Sequence, residues 1–188
     1  MGTSSNQRSP RTPNWRLAHA VIGRADVSAS SQSQELWRAA SGDQGDALLG
    51  GLGSPLLASA CETAAKAQSP SQAVASFENT LINEGAAGIF LDLGARALAR
   101  SVATKSGENG FASELFAEAV AYYASRDLPS YVAAPGRVKN TSDSIVLKEQ
   151  LKSIARETAM KVPLKTDPKG WRDYVSKVLQ NLQSGGKR

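Results

Sequence analysis

The chain has 188 residues, of which 41% are hydrophobic and 21% charged, and a formal net charge of +5. That length supports one domain with a core large enough to hold without staples, and the single cysteine, Cys61, excludes an intrachain disulfide. The longest apolar block, "AAGIFLDLGARALA", is broken by Asp92 and Arg96, well short of the roughly 20 residues that span a bilayer, so a cytoplasmic, reduced setting without membrane contact is expected.

Residues 1–13 read as a polar tail, rich in Ser, Thr, Pro and Arg, without the apolar core of a signal peptide. "NWRLAHAVIG" predicts a short helix capped by Asn14, and "SSQSQELWRAASG" a second one with Leu36, Trp37 and Ala40 inside and Gly42 as its stop. "DQGDALLGGLG" then reads as a separate helical turn running into a glycine bend. Ser54-Pro55 and Ser69-Pro70 each open a further helix, because proline at the first helical position gives up an amide that has no intrahelical partner. The inner face of the second of these is Val74, Phe77, Leu81 and Ile82, and Gly85 ends it.

The most apolar segment follows, with Ile89, Phe90, Leu93, Ala97 and Leu98 as a broad stripe, extended by Leu91 and Val102. It is the expected central helix, and Gly88 and Gly94 would let another helix approach it closely. "NGFASELFAEAVAYYAS" places Phe111, Leu115, Ala119 and Tyr122 on one side, with Glu114 and Glu118 on a solvated outer face. "SDSIVLKEQLKSIARETAMKV" is capped by Thr141 or Ser142, carries the stripe Leu147, Leu151, Ile154, Thr158 and Val162, and ends at Pro163. The last helix has Asp167 as cap and Pro168 in the first position. Its Trp171, Tyr174, Val175, Val178, Leu179 and Leu182 share one face, Gly185 stops it, and 185–188 fray. No run alternates as a strand would. The fold class is therefore all-α: one compact bundle of about eight helices spanning 14–184.

Between the helix of "NGFASELFAEAVAYYAS" and that of "SDSIVLKEQLKSIARETAMKV" lies "DLPSYVAAPGRV", too long for an ordinary helix connection and too apolar for a disordered one. It is expected to be an ordered strap pinned by Leu128, Tyr131 and Val132, leaving Arg137 and Lys139 exposed; a plain structural crossover is the alternative. The segment also marks a change of charge. Residues 1–40 carry 5 basic and 2 acidic side chains, residues 41–125 carry 4 and 9, and residues 126–188 carry 13 and 6. A basic end beside an acidic middle suggests a polyanion or acidic protein partner, or else pairing of the two parts within the chain.

Catalytic and metal chemistry finds little to use. His19 is the one histidine, and the usual metal sites need several His, Cys or carboxylate ligands at matched spacing. "GGLGSP" before a helix start lacks the Lys-Ser/Thr of a P-loop and the preceding strand of a dinucleotide site. Glu114 and Glu118 lack the Glu-x-x-His pairs of a di-metal bundle. No catalytic, cofactor-binding or metal-ligating residue is assigned, and no cofactor is expected. The basic features are richer: Lys148, Lys152 and Arg156 recur at i, i+4 and i+8, accompanied by Arg137, Lys139, Lys161, Lys165, Lys169, Arg172 and Lys177. The candidate interaction surface is Tyr131, Arg137, Lys139, Lys148, Lys152 and Arg156, at the strap and the helix after it.

The opening "MGTS" before a polar, Pro-containing tail, and more loosely "GARALAR" at Gly94–Arg100, resemble the B components of Qat anti-phage defence systems in bacteria. The glycine-rich early segment of that family is missing here. The resemblance implies a helical, non-catalytic accessory protein working beside proteins encoded nearby, an ATPase and a nuclease-like component among them, and it transfers no functional residue. The reading is a helical adaptor making protein–protein contacts, with a nucleic-acid-binding protein that uses the basic last third as the alternative.

Overall fold

The computed structural model describes residue 18, residues 20–22, residue 24, and residues 26–127 and 140–185. Seven helices occur among these residues: α1 (Ala29–Leu52), α2 (Pro55–Lys66), α3 (Pro70–Asn83), α4 (Ile89–Ala103), α5 (Gly107–Asp127), α6 (Thr141–Met160) and α7 (Pro168–Ser184). They form an all-α bundle around one apolar core, with no strand among the described residues. Of the predicted first helix, Ala18, Ala20 and Val21 are helical, and the Ile22 amide donates to the Ala18 carbonyl at 2.8 Å. The buried Gln32 side chain donates to the Arg24 carbonyl at 2.9 Å and so ties that turn to α1.

Helix starts follow their local chemistry. The side chain of Ser28 accepts from the Ser31 amide, Ser54 from Leu56, Asn140 from Asp143 and Asp167 from Gly170, each satisfying an amide left over in a first turn. Asn140 therefore caps α6, in place of the expected Thr141 or Ser142. Ser69 precedes Pro70 as predicted, but its hydroxyl turns to Ser71 at 3.1 Å and caps nothing. Gly185 ends α7 in the left-handed conformation, φ 70°, that glycine adopts without steric cost.

Three expectations change. Gly42 does not stop a helix; α1 runs through it for 24 residues. Each interior glycine costs about 1 kcal/mol relative to alanine, but Leu36, Ala40, Leu48 and Leu52 recur at multiples of four and are all buried, so continuity keeps one stripe on the core. The most buried helix is α5 rather than α4: Phe111, Leu115, Phe116, Ala117, Ala119, Val120 and Ala124 are fully inaccessible, and α1, α2, α4 and α6 all pack against it. Its alanines admit neighbours on sides where a longer side chain would hold them off. Finally, Ile82 of α3 is 74% exposed and Tyr122 of α5 39%, although both were expected to point inward.

Gly94 allows the close approach expected of it, whereas Gly88 sits before α4 with open space around its Cβ position. A Cβ built on Gly94 would lie 2.3 Å from Leu57 Cδ2. Gly94→Ala is expected to lose about 1 kcal/mol, because displacing the buried Leu57 outweighs the gain in helix propensity. Gly50→Ala, with no atom within 4 Å of the new Cβ, should instead gain up to about 1 kcal/mol. Urea denaturation of the two variants checks the opposite signs; equal shifts would contradict the close α2–α4 contact.

Candidate functional site

The basic last third divides into two sets of cations. The first belongs to α6, which is rotated from its expected setting. Its buried residues are Leu147, Leu151, Lys152, Ala155 and Ala159, while Ile154 and Thr158 are half-buried. This rotation turns Lys152 and Arg156 toward α5 and the two glutamates that had been placed on a solvated face. Glu114 and Glu118 retain only 14% and 13% of their side-chain exposure. Arg156 donates to Glu114 through both Nε (2.7 Å) and Nη2 (3.2 Å), a two-pronged geometry that suits the guanidinium fork. Lys152 Nζ lies 3.3 Å from Glu118 and 3.8 Å from Glu149. Arg100 of α4 reaches Glu114 at 3.2 Å and Glu118 at 3.5 Å.

Acids of the middle and bases of the end thus meet across α4, α5 and α6. Burial alone would raise the Glu114 carboxyl pKa, but the hydrogen bond from Arg156 and the charges of Arg156 and Arg100 prevail, and it lies below the ordinary carboxylate value. The same hydrogen bond raises Arg156 further. Of the six predicted surface residues, Lys152 and Arg156 are therefore joined to the chain's own acids, and Lys152, at 6% exposure, presents little to a partner. Lys148 is half-buried on the same helix. Tyr131, Arg137 and Lys139, with the predicted strap from residue 128 onward, lie outside the described residues, as does His19, while Asp127, the strap's first residue, is the last of α5.

The second set is exposed. Lys161, Lys165, Lys169, Arg172 and Lys177 follow the α6 ion pairs along the chain, and none makes an ion pair with a described residue. Lys165, Lys169 and Lys177 line an open groove of about 560 Å³ between the α6–α7 connection and the outer face of α7. Pro163, Asp167, Asp173, Ser176 and Gln180 complete most of its lining. Asp167 is engaged in capping, its carboxylate accepting from the Gly170 amide at 3.0 Å. Asp173 is exposed. Met160, 68% exposed, is the last residue of α6, three positions before Pro163.

These lysines follow the expected surface of the strap and α6 along the chain, and those of α7 have a regular spacing. Opposite its apolar stripe, Lys169, Asp173 and Lys177 recur at four-residue spacing, which places them on one face.

Elsewhere, burial pushes the Cys61 thiol up, and its Sγ lies 3.5 Å from the Glu108 carbonyl; a thiol held protonated is a poor nucleophile. Among the described residues no three His, Cys, Asp or Glu side chains converge as metal ligands would. No described helix is long and apolar enough to cross a membrane. No protein-family model, curated protein or solved structure matches the chain.

Proposed function

We propose that this protein is a non-catalytic helical adaptor whose work is to hold a protein partner. Its setting, following the resemblance of Met1–Ser4 and Gly94–Arg100, is a bacterial defence locus in which the partner is encoded nearby. The observation that carries the reading is the division of the basic third. Part of it is consumed in fastening α6 to α5, while Lys161, Lys165, Lys169, Arg172 and Lys177 are exposed and make no ion pair with a described residue, and Lys165, Lys169 and Lys177 among them line an open groove. Pro163 in the lining, with exposed lysines around it, offers an apolar contact inside a polar, charged rim. Co-purification from cells expressing the neighbouring genes should return a stable complex, and recovery of the lone chain would sink the reading.

Nucleic-acid binding is the second reading, favoured by the same five cations. Neutralising about five phosphates implies a loss of affinity of roughly 10²–10³-fold between 50 and 200 mM salt. A mobility-shift titration over that range checks it: absence of a shift at low salt would remove this alternative.

A further inference from the structure

We infer that the outer face of α7 is the docking site for an acidic helical segment of a partner protein, read by a basic–acidic–basic stripe. The inference rests on the adaptor reading and specifies the chemistry of what is bound.

The stripe is Lys169, Asp173 and Lys177. All three are exposed and line the same groove. On a helix of 3.6 residues per turn, positions four apart lie one above another, so the three charges span about 12 Å along α7. Neighbours at this spacing often close into ion pairs along their own helix. Here none of the three makes an ion pair with a described residue, and their charge is available to an incoming surface. Asp167 and Lys165 stand at the N-terminal end of the groove, and Pro163 supplies its apolar end.

The sign order selects among occupants. A nucleic-acid backbone presents uniform negative charge and would meet Asp173 in the middle of the stripe, where it is repelled. A second copy of this chain, packed through the same face about a two-fold axis at Asp173, would oppose aspartate to aspartate and Lys169 to Lys177. An isologous contact of that kind is like-charged throughout. The complement that fits is acidic–basic–acidic at four-residue spacing, a pattern a helix presents on one face. Charge order of this kind fixes partner choice and register more than affinity. The apolar contribution would come from Pro163, which lines the groove three residues after the end of α6.

The test uses the full chain and a fluorescein-labelled helical peptide with Glu, Lys and Glu at successive four-residue positions and a leucine one turn beyond. Its charge-reversed counterpart and a 20-nucleotide single strand are measured beside it by anisotropy at low salt. The Glu/Lys/Glu peptide should bind at least ten-fold more tightly than the reversed peptide, and Lys169→Glu/Lys177→Glu should invert that order. Both substitutions lie on an exposed helical face, and circular dichroism should show the fold unchanged. Equal binding of the two peptides, an unaltered preference in the double variant, or tighter binding of the oligonucleotide would each overturn the inference. The double variant is also taken through co-purification with the neighbouring gene products. A complex retained by the variant would leave the adaptor reading standing and move its interface elsewhere, whereas no complex with the unmodified chain would remove the adaptor reading itself.

Discussion

Trp171→Ala should be the most damaging single substitution in the last helix, lowering stability by about 4 kcal/mol. The indole is fully inaccessible, packed 5.5 Å from the Tyr174 ring and 6.2 Å from the Phe111 ring. Its Nε1 donates at 2.9 Å to the carbonyl of Leu52, the last residue of α1. Truncation removes apolar contact between α7, α5 and the end of α1. It also leaves a helix-terminal carbonyl without this donor, a group whose burial unpaired costs about 1–3 kcal/mol. In a chain of this size the midpoint of thermal unfolding should fall by roughly 8–16 °C. Trp171→Phe separates the two contributions, since it keeps most of the packing and loses the hydrogen bond; about half the loss is expected. Thermal and urea unfolding followed by circular dichroism give both values. A Trp171→Ala loss below about 1 kcal/mol, outside the usual range for a buried tryptophan, would mean that α7 does not seal the core as described.

Removal of the Glu114 carboxylate should rank second, at about 2 kcal/mol for Glu114→Gln. Breaking a buried ion pair by deleting one partner can cost about 3–5 kcal/mol because the remaining charge is stranded. The smaller figure reflects solvent: Arg156 and Arg100 keep 27% and 47% of their side-chain exposure, which screens what remains. Lys152→Met should cost less, because Glu118 retains Arg100 at 3.5 Å and a methionine refills the buried volume. The pH dependence follows from the direction of the shift. With its folded pKa depressed, Glu114 contributes its full stabilisation above the ordinary value of 4.5 and loses it as pH falls through the lower folded value. Acid unfolding of Glu114→Gln should therefore be shallower below pH 4.5 than that of the unmodified chain. Superimposable acid limbs would show that the carboxylate gains nothing from Arg156.

These two sites differ in how legible they were. Trp171 belongs to an apolar stripe at helical spacing, and its inward setting could be read from the sequence without any knowledge of its neighbours. Glu114 could not be read so. A glutamate and a lysine each look like surface residues when helices are considered singly, since burying either alone is unfavourable. Lys152 and Glu118 are 34 positions apart, and their burial becomes acceptable only when α5 and α6 are placed side by side. That error also fixed the wrong rotation for α6, because a stripe drawn through apolar residues alone selected Ile154 and Thr158 over Lys152, Ala155 and Ala159.

The sequence by itself determined the all-α class, the starts of α2, α3 and α7 at their Ser-Pro and Asp-Pro steps, the apolar face of α7 and its end at Gly185. Each of these depends on interactions within a few residues: a capping side chain, a missing proline amide, a glycine at positive φ, a repeat of 3.6. Tertiary structure decided the rest. Continuity of α1 through Gly42 came from a core that rewards Leu48 and Leu52 for staying in line with Leu36 and Ala40. The central position of α5 came from alanines whose value is the space they leave for other helices. The division of the basic third came from distances between α4, α5, α6 and α7, for a cation is internal or available according to the acids that the fold brings within reach, and no local pattern records that.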